Sequence, residues 1–162
     1  MALVQFIPLI SYFKLYFSTM RILILNGPNL NLVGSREPGI YGAQDFLSFY
    51  NELSAVYDDA AHFEYHQSNV EGELIDILQS ADGNFDGVLL NAGGYTHTSV
   101  AIMDCVAAIK TPVVEVHISN PLAREDFRHT SLVGQRCLAT VSGFGLDSYR
   151  LALEGLLTYL EG

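Results

Sequence analysis

The residues best equipped for chemistry are Glu115 and His117, two positions apart in Val113-Val114-Glu115-Val116-His117-Ile118-Ser119-Asn120. The β-branched residues and the alternation of that run read as a buried strand, which puts both ionisable side chains on one face. Burying such a pair is costly unless its members are paired or used, so the stretch is either a satisfied core pair or the proton-transfer part of a site. A second pair, Arg36 and Tyr41, lies in a polar loop. A free tyrosine is only about one part in a thousand ionised at neutral pH. A cation ~4 Å away at an effective dielectric near ~20 favours the phenolate by about 4 kcal/mol, or roughly three pKa units. Arg36 could thus make Tyr41 a general base; the alternative is an aromatic anchor for the loop.

Residues so distant in sequence meet only if the elements carrying them bring strand ends together. Arg21 to Asn26 reads as a buried strand stopped by Gly27-Pro28, and Asn29 to Gly42 as a long polar loop of the kind that is usually functional. Ala43 to Asp59 has helical spacing of Phe46, Leu47, Tyr50, Leu53 and Val56 or Tyr57, as expected for core packing. Ala61 to Gln67 is an expected edge strand with solvated His62 and His66. Val70 to Ala81 is an expected helix whose Glu71 and Glu73 suit its N-terminal dipole. Phe85 to Asn91 is a strand, and Thr96 or Thr98 could cap a helix running to about Lys110. Pro112 opens the Glu-Val-His strand, and Pro121 to Ser131 is charged and at most one helical turn. Arg136 to Ser142 is the last strand, and Asp147 to Leu160 the last helix.

Five strands alternating with helices predict an α/β domain, with an open parallel sheet covered on both faces in flavodoxin-like order. In such sheets ligands bind beyond the carboxyl ends of the strands. Asn26 and Asn29, then Asn91, then Glu115, His117, Ser119 and Asn120 all fall at those ends. NGPNLNLVG after the first strand has neither a dinucleotide fingerprint nor a P-loop ending. What remains is an amide-rich, histidine-containing pocket suited to a small polyhydroxylated ligand.

The 162 residues suit one domain. Hydrophobic content of 49% and charged content of 16% are those of an ordinary globular chain. A net charge of −10 argues against nucleic acid and anionic membrane as partners. Of only eight Lys and Arg residues, Arg36, Arg124 and Arg128 flank the polar strand ends, where an anionic ligand would go. Cys105 and Cys137 have no metal-type spacing and read as small core residues in a reducing, cytoplasmic setting. The apolar residues 1–19 are interrupted by Pro8 and Lys14, unlike a membrane span, and lack the basic start of a signal peptide. They read as an extension or docked arm added to a catalytic domain at 20–162.

NGPNLN, REPGIYG, SNVEGELID, NAGGYTHTS, EVHISN and REDFRHTS follow one another in the order and approximate spacing of the type II 3-dehydroquinate dehydratases, or type II dehydroquinases, which the chain resembles from Met20 to about Leu160. The resemblance implies a flavodoxin-like subunit in a homo-oligomer, a dodecamer of four trimers, that uses neither metal nor other cofactor. It implies the conversion of 3-dehydroquinate to 3-dehydroshikimate and water, in aromatic amino acid biosynthesis by the shikimate pathway or in quinate catabolism. Carried over by position, Tyr41 resembles the base and Arg36 the residue that lowers its pKa. Asn29 resembles the residue that holds a water against the developing enolate. His117 resembles the acid, oriented by Glu115. Asn91 with the backbone of Ile118 and Ser119 resembles the carboxylate grip, His97 and Arg128 contacts to ring hydroxyls, and Asp104 a residue reaching a neighbouring subunit. Arg124 also falls on a motif, in a supporting role. Gly94 stands where alanine is common, and the extension is foreign to the pattern.

Other classes compete with this reading. A metal hydrolase would use Glu115, His97 and His117, whose dispersed spacing matches no known ligand motif. A binding protein of the same fold would have less need of base and acid together. A related dehydratase would act on a different cyclic acid.

Overall fold

The computed structural model describes residues 19–34 and 44–162. The extension up to residue 18, and the loop residues 35–43 with Arg36 and Tyr41, lie outside the described residues.

Strand β1, Met20–Asn26, has Ile22, Leu23, Ile24 and Leu25 all buried, so both of its faces need cover. It lies between β2, Ala61–Gln67, and β3, Gly87–Asn91; beyond β3 come β4, Val113–His117, and β5, Ala139–Ser142. The order β2-β1-β3-β4-β5 is parallel throughout, as the flavodoxin-like expectation requires. Helices α1, Phe46–Val56, and α4, Asp147–Glu161, cover one face. There Ile22, Ile24, Leu89, Val114 and Val116 meet Phe46, Phe49, Leu53, Tyr149 and Leu153. Helices α2, Glu71–Ala81, and α3, Val100–Ala108, cover the other, where Leu23, Leu25, Val88, Leu90 and Val113 meet Leu74, Leu78, Ile102 and Val106. Each such aliphatic side chain contributes about 1.5–3 kcal/mol by leaving water. Gly87 lets α4 approach, since a Cβ there would lie 2.7 Å from Leu156 Cδ2.

Expectations for four segments need correcting. Helix α1 is shorter than Ala43 to Asp59, because Asp45 caps it by accepting from the Ser48 N–H (2.9 Å). Its buried stripe is Phe46, Phe49 and Leu53, whereas Leu47 and Val56 are exposed. Helix α3 is capped by Ser99, which accepts from the Ile102 N–H at 2.8 Å, not by Thr96 or Thr98. It stops at Ala108, and the Lys110 and Thr111 N–H groups turn to Asp82 Oδ1. Strand β5 begins at Ala139 rather than Arg136, because Val133–Arg136 forms a 3-10 turn tied to Ser131 by the Gly134 N–H (2.8 Å). The Pro121 to Ser131 segment holds two short turns, Pro121–Ala123 and Asp126–Arg128.

β2 is an edge strand, with His62 exposed and His66 2.6 Å from Glu64. Burial raises both thiols; for Cys137, burial and then the Glu115 charge push it up to about 12. Among the described residues no helix is long and apolar enough to cross a membrane.

Candidate active site

A pocket of about 210 Å³ opens beyond the carboxyl ends of β1, β3 and β4. It lies at the point where strand order reverses between β1 and β3, which leaves a crevice beyond the sheet edge. From β1 it receives Asn29, and from β3 Asn91, Gly93, Gly94 and His97. From β4 and the segment after it come His117, Ile118, Ser119, Arg124 and Arg128.

Asn29 is the one non-glycine with positive φ (67°) among the described residues, a conformation its short amide side chain tolerates. Its N–H donates to Asn69 Oδ1 at 2.9 Å, and the Tyr95 hydroxyl donates to the Asn69 carbonyl at 3.0 Å. These bonds fix the loop leaving β1 against the one leaving β2. Gly27 permits the same closeness on the other side, since a Cβ there would lie 2.6 Å from the Ala92 carbonyl oxygen.

Glu115 is fully buried beneath the pocket. Its carboxylate accepts from Thr96 Oγ1, from Ser131 Oγ at 2.7 Å and from Thr140 Oγ1 at 3.0 Å, while His117 Nε2 stands 3.2 Å from Oε1. Burial would raise this carboxyl, but donation and charge from His117 and the bonds from Thr96 and Ser131 outweigh it, holding the pKa at about 2. Gly134 packs so closely on Oε2 that a side chain there would collide with it.

The tautomers follow from these partners. Carboxylates and carbonyls only accept, so His117 presents Nε2–H to Glu115 and leaves Nδ1 for other partners. His97 likewise donates Nδ1–H to the Thr130 carbonyl at 2.8 Å. The two rings are nearly parallel (9°), with centroids 6.5 Å apart. A charged His117 beside anionic Glu115 can donate a proton, and a neutral one can accept it. Also at the pocket, Glu125 Oε2 lies 2.8 Å from Arg128 Nε and 3.6 Å from Arg124 Nε. Two guanidinium groups therefore edge the pocket of an otherwise acidic chain, an arrangement suited to an oxyanion.

The fold thus gathers Asn29, Asn91, His97, His117, Ile118, Ser119 and Arg128 around one cavity, with Glu115 beneath it. It does not bring Asp104 there: that residue is exposed on α3 and absent from the lining. Arg36 and Tyr41 lie outside the described residues. Val33 lines the cavity, and a Cβ on Gly34 (φ 88°) would lie 2.8 Å from the Asp45 nitrogen. Among the described residues no three metal-ligating side chains converge.

Sequence reasoning did not single out Thr140, Ser131 or Tyr149, and it took Thr96 for a helix cap. Thr140 could have been found from register, since it pairs with Glu115 across β4 and β5. Ser131 and Tyr149 carry no local signal, because their partners lie far away in the chain.

The model of the family described as Dehydroquinase class II matches residues 20–157. The chain is 50% identical over 143 residues to the 3-dehydroquinate dehydratase of Prochlorococcus marinus (strain NATL1A), covering 88% of this chain and 99% of that one. It is 51% identical over 140 residues to the 3-dehydroquinate dehydratase of Exiguobacterium sp. (strain ATCC BAA-1283 / AT1b), covering 86% and 96%. Among solved structures, the type II dehydroquinase from Butyrivibrio crossotus DSM 2876 superimposes with a TM-score of 0.82 at 41% identity, covering 85% of this chain and 97% of the other.

Proposed function

The chain belongs to the class II dehydroquinase family, and from that premise we propose that it is a hydro-lyase converting 3-dehydroquinate to 3-dehydroshikimate and water, with Tyr41 as base and His117 as acid. The observation that carries the reading is the buried Glu115–His117 pair beneath a pocket edged by amides and arginines. Elimination next to a ketone needs a base for the α-proton, something to stabilise the enolate and an acid for the departing hydroxyl. These residue types provide all three.

In this mechanism the Tyr41 phenolate takes the α-proton, and the C–H electron pair moves onto the carbonyl as an enolate. A water held by Asn29 donates to that oxygen. The enolate then re-forms the ketone as the C–O bond breaks, and His117 protonates the leaving oxygen to give water. Tyr41 ends as phenol and His117 as neutral imidazole, so one proton passing from the first to the second restores the enzyme. Asn91 and the backbone N–H groups of Ile118 and Ser119 hold the substrate carboxylate; His97 and Arg128 contact ring hydroxyls.

Exposed Asp104 is assigned to the site of a neighbouring copy, within a dodecamer of four trimers. Residues 1–19 are taken as an addition to the catalytic domain, and the mechanism assigns no step to a metal or cofactor.

The decisive assay follows the absorbance of the conjugated enone formed from 3-dehydroquinate. Sustained growth of that signal, insensitive to a chelator, is the expected result; none at high enzyme concentration would overturn the function. A further expectation concerns Arg36. If its charge keeps Tyr41 ionised, Arg36→Gln raises the tyrosine pKa, and the acidic limb of the pH–rate profile moves up by about one to three units. An unmoved limb would separate Arg36 from Tyr41.

A further inference from the structure

Asn91 lines the pocket but is itself held from behind. Its Oδ1 accepts the Gly93 N–H at 3.2 Å, and its Nδ2 donates to the Tyr149 hydroxyl at 2.9 Å. Tyr149 stands on α4 and is completely buried; its hydroxyl donates in turn to Asn26 Oδ1, at the end of β1, at 2.7 Å. One backbone group sets the polarity of this relay. A backbone N–H can only donate, so Gly93 fixes Asn91 with its oxygen toward the turn and its NH₂ toward Tyr149. The phenol oxygen must then accept from Asn91, and its single proton must go to Asn26 Oδ1. Among the described residues Asn26 Nδ2 finds no partner of hydrogen-bonding geometry, although the amide pulls the Tyr65 phenol down against the larger upward push of burial.

We propose that Tyr149 is a positioning residue for substrate binding: through Asn26 on one side and Asn91 on the other, it orients the Asn91 amide so that its second N–H is offered to the substrate carboxylate. That N–H has no acceptor among the described residues, whereas the first is used by Tyr149. Without the phenol oxygen, Asn91 would have one fixed end and could swing about its side-chain torsion. The aromatic ring serves the core separately, packing edge-on against Phe46 (5.0 Å, 65°) and beside Phe49 (6.0 Å). Tyr149→Phe keeps those ring contacts and removes only the relay. The proposal rests on Asn91 gripping the carboxylate, as in the function proposed above.

The test is a double-mutant cycle read by calorimetric binding of 3-dehydroshikimate, so that loss of turnover cannot hide the result. Tyr149→Phe should weaken binding about tenfold, the loss expected for one charge-assisted hydrogen bond, with a smaller change in kcat. In an Asn91→Ala background the same substitution should change binding by less than about twofold. Asn26→Leu, which removes the acceptor for the phenol, should follow the same pattern and serves if Tyr149→Phe folds poorly. An equal loss in both backgrounds would overturn the relay, as would unchanged binding in Tyr149→Phe. Unchanged binding in Asn91→Ala alone would instead remove the carboxylate grip, and the proposal with it.

Discussion

Tyr41→Phe should lower turnover by about 10³-fold or more, the upper range for a positioned general base, while product binding changes by less than about threefold. The substitution removes one oxygen and keeps the ring, so an aromatic anchor for the loop would survive it almost unharmed. A general base would not, because phenylalanine cannot hold the α-proton at any pH. The two readings left open by the sequence therefore differ by about 4 kcal/mol in activation free energy, far more than loop packing explains. Single-turnover kinetics with calorimetric binding separates them. Turnover within tenfold of the parent would return Tyr41 to the role of anchor and move the base elsewhere.

The second large effect is expected at Glu115. Glu115→Gln keeps shape and folding: its oxygen can face Thr96, Ser131 and His117, and its NH₂ can face Thr140, whose hydroxyl rotates from donor to acceptor. The carboxylate charge beside His117 Nε2 is lost, and kcat should fall by about 10²–10³-fold. A stability signature accompanies this. The carboxyl titrates at about 2 in the folded chain against 4.5 for an unperturbed one. A depressed acid stabilises the fold fully above its unfolded pKa, and that stabilisation drains away as pH falls from 4.5 toward 2. The amount is on the order of 3 kcal/mol. Denaturant unfolding through this window should therefore show an acid-dependent loss in the parent that the variant lacks. Parallel losses would mean that Glu115 is not the group held anionic.

Elements whose pattern repeats locally were legible in the sequence. Ile22 to Leu25 announce a strand buried on both faces, and parity alone puts Glu115 and His117 on one side of β4. Bonds that run between elements were not. Thr96 looks like a helix cap because it precedes an apolar run, but its hydroxyl is taken by Glu115, so Ser99 caps α3 instead. A carboxylate buried without a cation from Lys or Arg has to collect neutral donors, and sequence does not say which hydroxyls will reach it. Strand β5 starts at Ala139 rather than Arg136 because Val133–Arg136 winds into a 3-10 turn, whose Gly134 leaves room for Glu115 Oε2, a tertiary contact that the local pattern of residues does not carry.

The bond from Tyr149 to Asn26 spans 123 residues of chain and joins α4 to the end of β1. Contacts this far apart form late, since the intervening chain must be ordered before they repay its lost entropy. The order of folding follows. The sheet can begin to assemble around β1 and β3 while the pocket still lacks its brace, and the pocket reaches its full affinity when α4 docks. Refolding followed by product binding should lag refolding followed by sheet formation, with α4 as the last piece into place.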